Sequence, residues 1–259
     1  MLSGFIAVVA LFTGLWLVSI VLKNSSIVDM WWGPGIFLIG LTYMLTANSG
    51  TSRSRMVLAL LALWALRLAW HIGARNIGHG EDFRYAKWRR DNGERWWWFS
   101  YFKVFLLQAV IAWIVALPIY FAIAASAPVR FNAWDFAAAL IVAIGFFFEA
   151  IGDEQLRRFK ANRANQGQVL DTGLWRYTRH PNYFGEAVIW WGFGLFSVAT
   201  GGYLGLIGSA IMTFLLVRVS GVALLEHTLR DTKPGYAAYI ETTSSFLPMP
   251  PRRRRSSAV

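Results

Sequence analysis

Residues 56–76 read MVLALLALWALRLAWHIGARN: eleven apolar residues in succession, then Arg67, His71 and Arg75, each four residues from the last. A run of this length is what an α-helix needs to cross roughly 30 Å of hydrocarbon. Spacing by four lines the three basic side chains along one face. Lipid does not accommodate such a face, so it must look toward protein or a water-filled cavity. The stretch therefore predicts a membrane helix with a polar stripe turned inward.

Runs of similar character cover Phe5 to Leu22, Asp29 to Ala47, Tyr101 to Ala124, Trp134 to Ile151, Tyr183 to Ala199 and Tyr203 to Leu225. The expectation is an all-α integral membrane protein of about seven transmembrane helices. Composition agrees: 56% of the 259 residues are hydrophobic, only 15% are charged, and the mean hydropathy is +0.43. The first run lacks a basic leader and a small-residue cleavage site, so it is read as a retained helix ending at Lys23. Residues 1–247 are read as a single membrane domain. Residues 248–259, with Arg252 to Arg255, are read as a basic tail serving topology and attraction to anionic lipid.

Lys and Arg outnumber Asp and Glu by 25 to 14, a net charge of +11. Eighteen of the basic residues fall in alternate segments (the first, third and fifth loops and the tail), against three, Arg53, Arg55 and Arg130, on the opposite side. Basic loops stay cytoplasmic, so the expectation is N-terminus out and C-terminus in. Trp96, Trp97, Trp98 and Tyr101 then fall at the cytoplasmic interface. The basic residues form no stripe along a soluble face, which excludes a nucleic-acid partner. Without cysteine there is no disulfide, thiolate metal site or Cys nucleophile, and with four histidines no metal centre is expected. A soluble dinucleotide fold is excluded, because no strand precedes a GxGxxG and Gly33-Pro34-Gly35 lies inside a span.

Several polar residues need a reason to be where they are. Asp29 opens the second run in SIVDMWWGPG, either as a site residue or as an acid capping the first turn, and the Gly-Pro-Gly that follows is expected to interrupt the helix. NIGHGEDFRYAKWR crowds Glu81, Asp82, Arg84 and Tyr85 into a short loop after Arg75. Glu149, Asp153, Arg157 and Lys160 share one helix face, as a site or as an ion-pair ladder. DTGLWRYTRHPNYFGE, residues 171–186, is the densest stretch, with Arg176, Tyr177, Arg179, His180, Asn182, Tyr183 and Glu186. Pro181 suits the first turn of the next helix, whose amides and nearby arginines form an anion site. Glu226 and His227 close the last run on the same side.

Taken together, RHPNYFGE, VDMWWG, GEDFRY and GVALLEH…PGYAAY resemble the steroid 5α-reductase family of membrane enzymes, in its small bacterial-type members, over nearly the whole chain. The resemblance implies an enzyme that takes NADPH from the cytoplasmic side. It would reduce a carbon-carbon double bond conjugated to a ketone in a lipophilic enone, such as a 3-oxo-4-ene steroid, arriving from the bilayer. It implies that Asn182 and Glu186 hold the cofactor, with Asp153, Arg157 and Lys160 in the preceding helix, Arg75 and Arg84 toward the phosphates, and Asp29 at the substrate ketone. Arg176, Tyr177, Arg179, His180 and Glu226 complete the expected cofactor set. The family's Tyr that assists the acid has its nearest counterpart at Ile72 or His71, so His71 is the expected partner of Asp29. The expected localisation is a multi-pass membrane protein, in the inner membrane if the cell is bacterial.

RHPNYFGE is also similar to isoprenylcysteine and phospholipid methyltransferases. An S-adenosylmethionine-dependent lipid or prenylcysteine methyltransferase is therefore the alternative, and a transporter lined by the buried charges is the third reading. The chemistry favours the reductase. Hydride addition to an enone leaves charge on the carbonyl oxygen, which an acid at Asp29 would meet, and the arginines suit a polyphosphate.

Overall fold

The computed structural model describes residues 1–48, 50–125, 130–219, 222, 226, 229 and 233–252. The apolar runs are helices, as a chain in lipid must satisfy every backbone group within the segment. In order they are α1 (Leu2–Leu22), α2 (Ile27–Thr46), α3 (Ser52–Asn76), α4 (Phe83–Asn92), α5 (Trp96–Ser100), α6 (Leu107–Val115), α7 (Leu117–Ala124), α8 (Ala133–Ala161), α9 (Pro181–Val198), α10 (Leu206–Phe214) and α11 (Tyr236–Thr242). Among the described residues there is no strand, only an isolated bridge between Thr178 and Ser244.

Five stretches are long and apolar enough to cross a bilayer: Leu2–Leu22, Ile27–Thr46, Ser52–Asn76, Phe83–Val115 and Ala133–Ala161. The chain is thus a multi-pass membrane protein. Tyr203–Val219 is apolar but shorter, and α9 does not reach the same length and hydropathy. The fourth stretch starts well before the expected Tyr101. It runs from α4 through a 3₁₀ turn (Gly93–Arg95), α5 and a π-helical turn (Tyr101–Leu106) into α6. Pro118, at the start of α7, ends that run.

Gly33-Pro34-Gly35 does not interrupt α2, which continues through Pro34. The glycines serve packing instead. Lipid tails are as apolar as side chains, so helices associate in the membrane through close van der Waals fit. A methyl group on Gly33 would lie 3.1 Å from the Ala65 Cα on α3, and one on Gly35 would lie 2.7 Å from the Phe12 ring on α1.

The chain divides into two compact units, residues 1–135 with 194–208, and residues 136–193 with 209–259. The core of the first holds Val8, Phe12, Ile36, Ile39, Leu61 and Trp64, all buried. It also contains a sealed ion pair. Arg53, at the start of α3, grips Asp135 through Nε at 2.6 Å and Nη2 at 2.7 Å, with the side chains 2% and 1% exposed. The Arg130 carbonyl accepts from Arg53 and the Asn132 amide donates to Asp135. In the second unit α8 and α9 meet at Gly145, where a methyl group would come within 2.7 Å of the Gly185 carbonyl oxygen.

Candidate functional site

In the first unit, a polar cluster forms where the turn before α2 meets the segment before α4. Glu81 accepts from the Ser25 amide at 2.6 Å and from both Nε and Nη2 of Arg89 at 2.9 Å. Trp96 Nε1 donates to Ser25 Oγ. Burial pushes the Glu81 carboxyl up, but the bonds from Arg89 and Ser25 outweigh it and hold the group below its usual 4.5. Asp82 caps α4 by accepting from the Arg84 amide. Burial raises Asp82 as well, and the Arg84 bonds, with Arg75 adding its charge, leave it below its usual 3.8.

This frame holds Arg84 between two carboxylates. Its Nε donates to Asp82 Oδ1 at 2.9 Å and its Nη2 to Asp29 Oδ2 at 3.1 Å. The other Asp29 oxygen accepts from the Tyr85 hydroxyl at 2.6 Å. Gln108 Nε2, on α6, donates to that same hydroxyl oxygen at 3.2 Å. Asp29 is not a cap: the residue before α2 is Ser26, which makes no side-chain cap bond, and the Asp29 oxygens reach elsewhere. The two donors favour its ionised form, whereas its place in the bundle disfavours charge. The Asp29–Arg84 pair is 18% and 31% exposed, so it stays open to a ligand.

Of the residues expected here, Asp29 and Arg84 come together. Arg75 is exposed, bonded to Asn76, and close enough to act on Asp82. His71 is half-buried one turn before Arg75 on α3. Tyr85 donates to Asp29, a pairing the sequence did not assign. Trp96, expected at the lipid interface, is 2% exposed because it closes over Ser25, whereas Trp97 and Trp98 are exposed.

In the second unit, Pro181 starts α9 as expected. Asp153, buried on α8, accepts from Asn182 Nδ2 at 2.9 Å. The close approach is possible because Gly152 has no side chain: a methyl group there would lie 3.1 Å from the Asn182 amide nitrogen. Asn182 Oδ1 is buried with no hydrogen-bond partner among the described residues. Glu186, one turn along α9, is buried too. The ladder expected on α8 does not form between Asp153 and Arg157. Arg157 and Arg158 instead pair with Glu154, at 2.6 and 2.5 Å, on the exposed side.

Arg179 is buried and committed to the protein. It donates to Glu226 Oε1 through Nε at 2.8 Å, with Nη2 at 2.7 Å from the same oxygen, and Nη1 donates to the Thr243 and Ile240 carbonyls. His180 Nε2 lies 3.3 Å from that Glu226 oxygen, and its ring stacks on Tyr183. Burial pushes Glu226 up, and the bonds from His180 and Arg179 more than reverse this. Residues beyond α11 return over the loop: the Arg179 amide donates to Ser244, Thr178 Oγ1 to the Phe246 carbonyl, and the Met249 amide to Tyr177. The expected tail thus stays with this unit through Arg252, whose amide donates to Thr242. His227 and Arg253 to Arg255 lie outside the described residues.

Arg157, Lys160, Arg176 and Tyr177 are exposed. A cleft of about 260 Å³ is lined in part by Lys160, Arg163 and Lys233. Among the described residues no group of three or more acids or histidines could hold a metal ion. Groups of these kinds are what a polar, anionic cofactor would need. The orphaned Asn182 oxygen accepts from an amide or hydroxyl, as Glu186 can, and exposed guanidinium and ammonium groups pair with phosphates. The pair with Glu154 lies in solvent and is weak, so a phosphate can displace it.

Residues 15–243 match the family described as "Protein of unknown function (DUF1295)", and the chain belongs to that family. A protein of Schizosaccharomyces pombe, described as uncharacterized, is 29% identical over 261 residues, which cover 90% of this chain and 75% of the relative. No solved structure matches.

Proposed function

For this member of the DUF1295 family we propose an NADPH-dependent reductase that saturates the double bond of a lipophilic enone, such as a 3-oxo-4-ene steroid. The observation that carries the reading is the 2.6 Å bond between Tyr85 and Asp29, with Arg84 on the second carboxylate oxygen and part of the pair open. A polar residue in a membrane helix marks function by default, and this one is held in a proton-sharing pair. NADPH, when bound, would supply the hydride for the carbon β to the ketone. The enone's electron pair then moves to the carbonyl oxygen. The Tyr85 proton, shared with Asp29, would pass to that oxygen as its bond in the pair breaks, giving an enol. The enol would return a proton from oxygen to water as its α carbon takes one, leaving the saturated ketone. Arg84, already paired with Asp29 and Asp82, would lie beside the charge left behind and lower its cost, a stabilisation that grows as the transition state forms. His71 is the second candidate donor.

On the second unit, Asn182 and Glu186 are read as holding the cofactor amide and hydroxyl groups, and Arg157, Lys160 and Arg176 its phosphates. Arg179, His180 and Glu226 keep the loop in shape. The reading retains seven spans, with the N-terminus outside and the cofactor side cytoplasmic, because 18 basic residues against three lie in alternate segments.

Inverted membrane vesicles containing the protein are expected to consume added NADPH when given a 4-en-3-one steroid, and sealed right-side-out vesicles are not. Label transferred from S-adenosylmethionine to lipid, with no enone-dependent NADPH loss, would replace this reading with the methyltransferase. Activity only in right-side-out vesicles would overturn the orientation.

A further inference from the structure

Helix α6 reads LQAVIAWIV, and its one amide side chain, Gln108, is turned inward. Phe105, Ala109, Ala112 and Val115 are buried, Leu107 is 50% exposed, and Gln108 is part-buried on the inward stripe. The π-helical turn Tyr101–Leu106 directly precedes it. Such a turn adds a residue to the helical repeat, rotating everything after it, and recurs at functional sites. Here the rotated segment brings Gln108 Nε2 to 3.2 Å from the Tyr85 hydroxyl oxygen.

That contact determines where the phenol proton goes. A phenol has one proton to donate and an oxygen that accepts. With Gln108 donating to the oxygen, the single proton is directed to Asp29 Oδ1 at 2.6 Å. When the proton leaves toward a substrate oxygen, charge builds on the phenol oxygen. The Gln108 N–H already points at it, and a hydrogen bond to a charged atom is stronger than one to a neutral atom. In apolar surroundings the amide N–H has few other acceptors, so the bond is costly to lose.

We propose that Gln108 is a positioning residue for proton transfer: it fixes the direction of the Tyr85 proton in the resting protein and stabilises the phenol oxygen as that proton departs. The role in turnover rests on the reductase reading; the bond itself does not.

The test uses full-length protein in detergent, labelled with ¹³C at the ζ carbon of its nine tyrosines. The resonance missing in Tyr85→Phe is that of Tyr85. In Gln108→Leu this resonance should shift while the others hold. Gln108→Met serves in place of Gln108→Leu if that variant fails to fold. An unmoved Tyr85 resonance overturns the proposal, whatever the protein catalyses. In single-turnover hydride transfer, Gln108→Leu should lose about tenfold or more, the effect of one hydrogen bond to a developing charge, with NADPH affinity unchanged. In the Tyr85→Phe background it should lose nothing further. A full additive loss there means that Gln108 acts through another group and overturns the proposal. If wild-type protein reduces no enone, the reductase reading fails, and the resonance alone decides for or against Gln108.

Discussion

Two arginine–carboxylate pairs in the first unit use the same chemistry to opposite ends. Arg53 and Asp135 are 2% and 1% exposed and joined by two bonds, and further protein groups bond to each. Arg84 and Asp29 are 31% and 18% exposed, joined by one bond, and share their remaining capacity with Asp82 and Tyr85. A sealed pair with satisfied donors acts as a fastener. An open pair, part of whose capacity goes to a phenol proton, can exchange a partner with a ligand. Burial and the number of satisfied bonds separate the two roles, not residue type.

The comparison breaks most visibly at the open pair. Asp29→Asn keeps the size of the side chain and removes the carboxyl, so single-turnover hydride transfer should fall by about 10² to 10⁴, the usual contribution of a positioned acid or base. NADPH affinity should stay near wild type, since the change acts on the transition state. Stopped-flow NADPH oxidation on cofactor-saturated protein is the measurement. Near-normal transfer would exclude Asp29 and move the role to His71.

At the sealed pair the loss should appear in stability. Asp135→Ala leaves Arg53 buried without its partner and should cost about 3 to 5 kcal/mol, and Arg53→Met with Asp135→Leu should recover most of it. Arg84→Gln, whose partners keep some access to water, should by contrast cost less stability than Asp135→Ala while lowering turnover. Thermal unfolding in detergent, run beside turnover on all the variants, checks the contrast. Equal stability losses at both sites would erase the distinction.

The smallest effect concerns the frame around the open pair. Glu81 and Asp82 both sit below their usual values of 4.5 and 3.8 in the folded protein. A depressed carboxylate stabilises the fold above its unfolded pKa and loses that contribution as pH falls through the folded one. Stability should therefore be flat from neutral pH down to about 4.5 and decline below it, and Arg89→Gln should flatten the decline. An unfolding midpoint in Arg89→Gln with the same acid dependence as wild type would show that Glu81 is not held this way.

Much of this was legible in the sequence. Apolar length announces a bundle of membrane helices, Pro181 marks the start of α9, and Asp29 stands out as a carboxylate at the edge of hydrocarbon. What escaped was set by contacts between distant parts of the chain. Tyr85 lies 56 residues from Asp29, so only packing reveals that it donates to that carboxylate. Arg157 has an acid at both three and four residues' distance; Asp153 is buried and Glu154 is not, which decides the pairing. Gly33 and Gly35 look like helix breakers until α1 and α3 are seen against them. Gln108 did leave a signal, a lone amide in an apolar run, but its partner and the rotation that aims it are three-dimensional facts.

The return of residues 243–252 across the Tyr177–Arg179 loop has a consequence for how the protein is made. A chain emerging from the ribosome can form the Asp29 cluster once Gln108 has been synthesised, because its members all lie between residues 24 and 108. The loop at Arg179 cannot close then. Its guanidinium waits for Glu226, Ile240 and Thr243, and its amide for Ser244. Domains emerge N-terminal part first, at about 5 to 20 residues per second, so the two clusters mature several seconds apart. During that interval a basic, half-finished loop has neither its counter-charge nor its cover, and this is when the nascent protein is most exposed to proteolysis and misassembly.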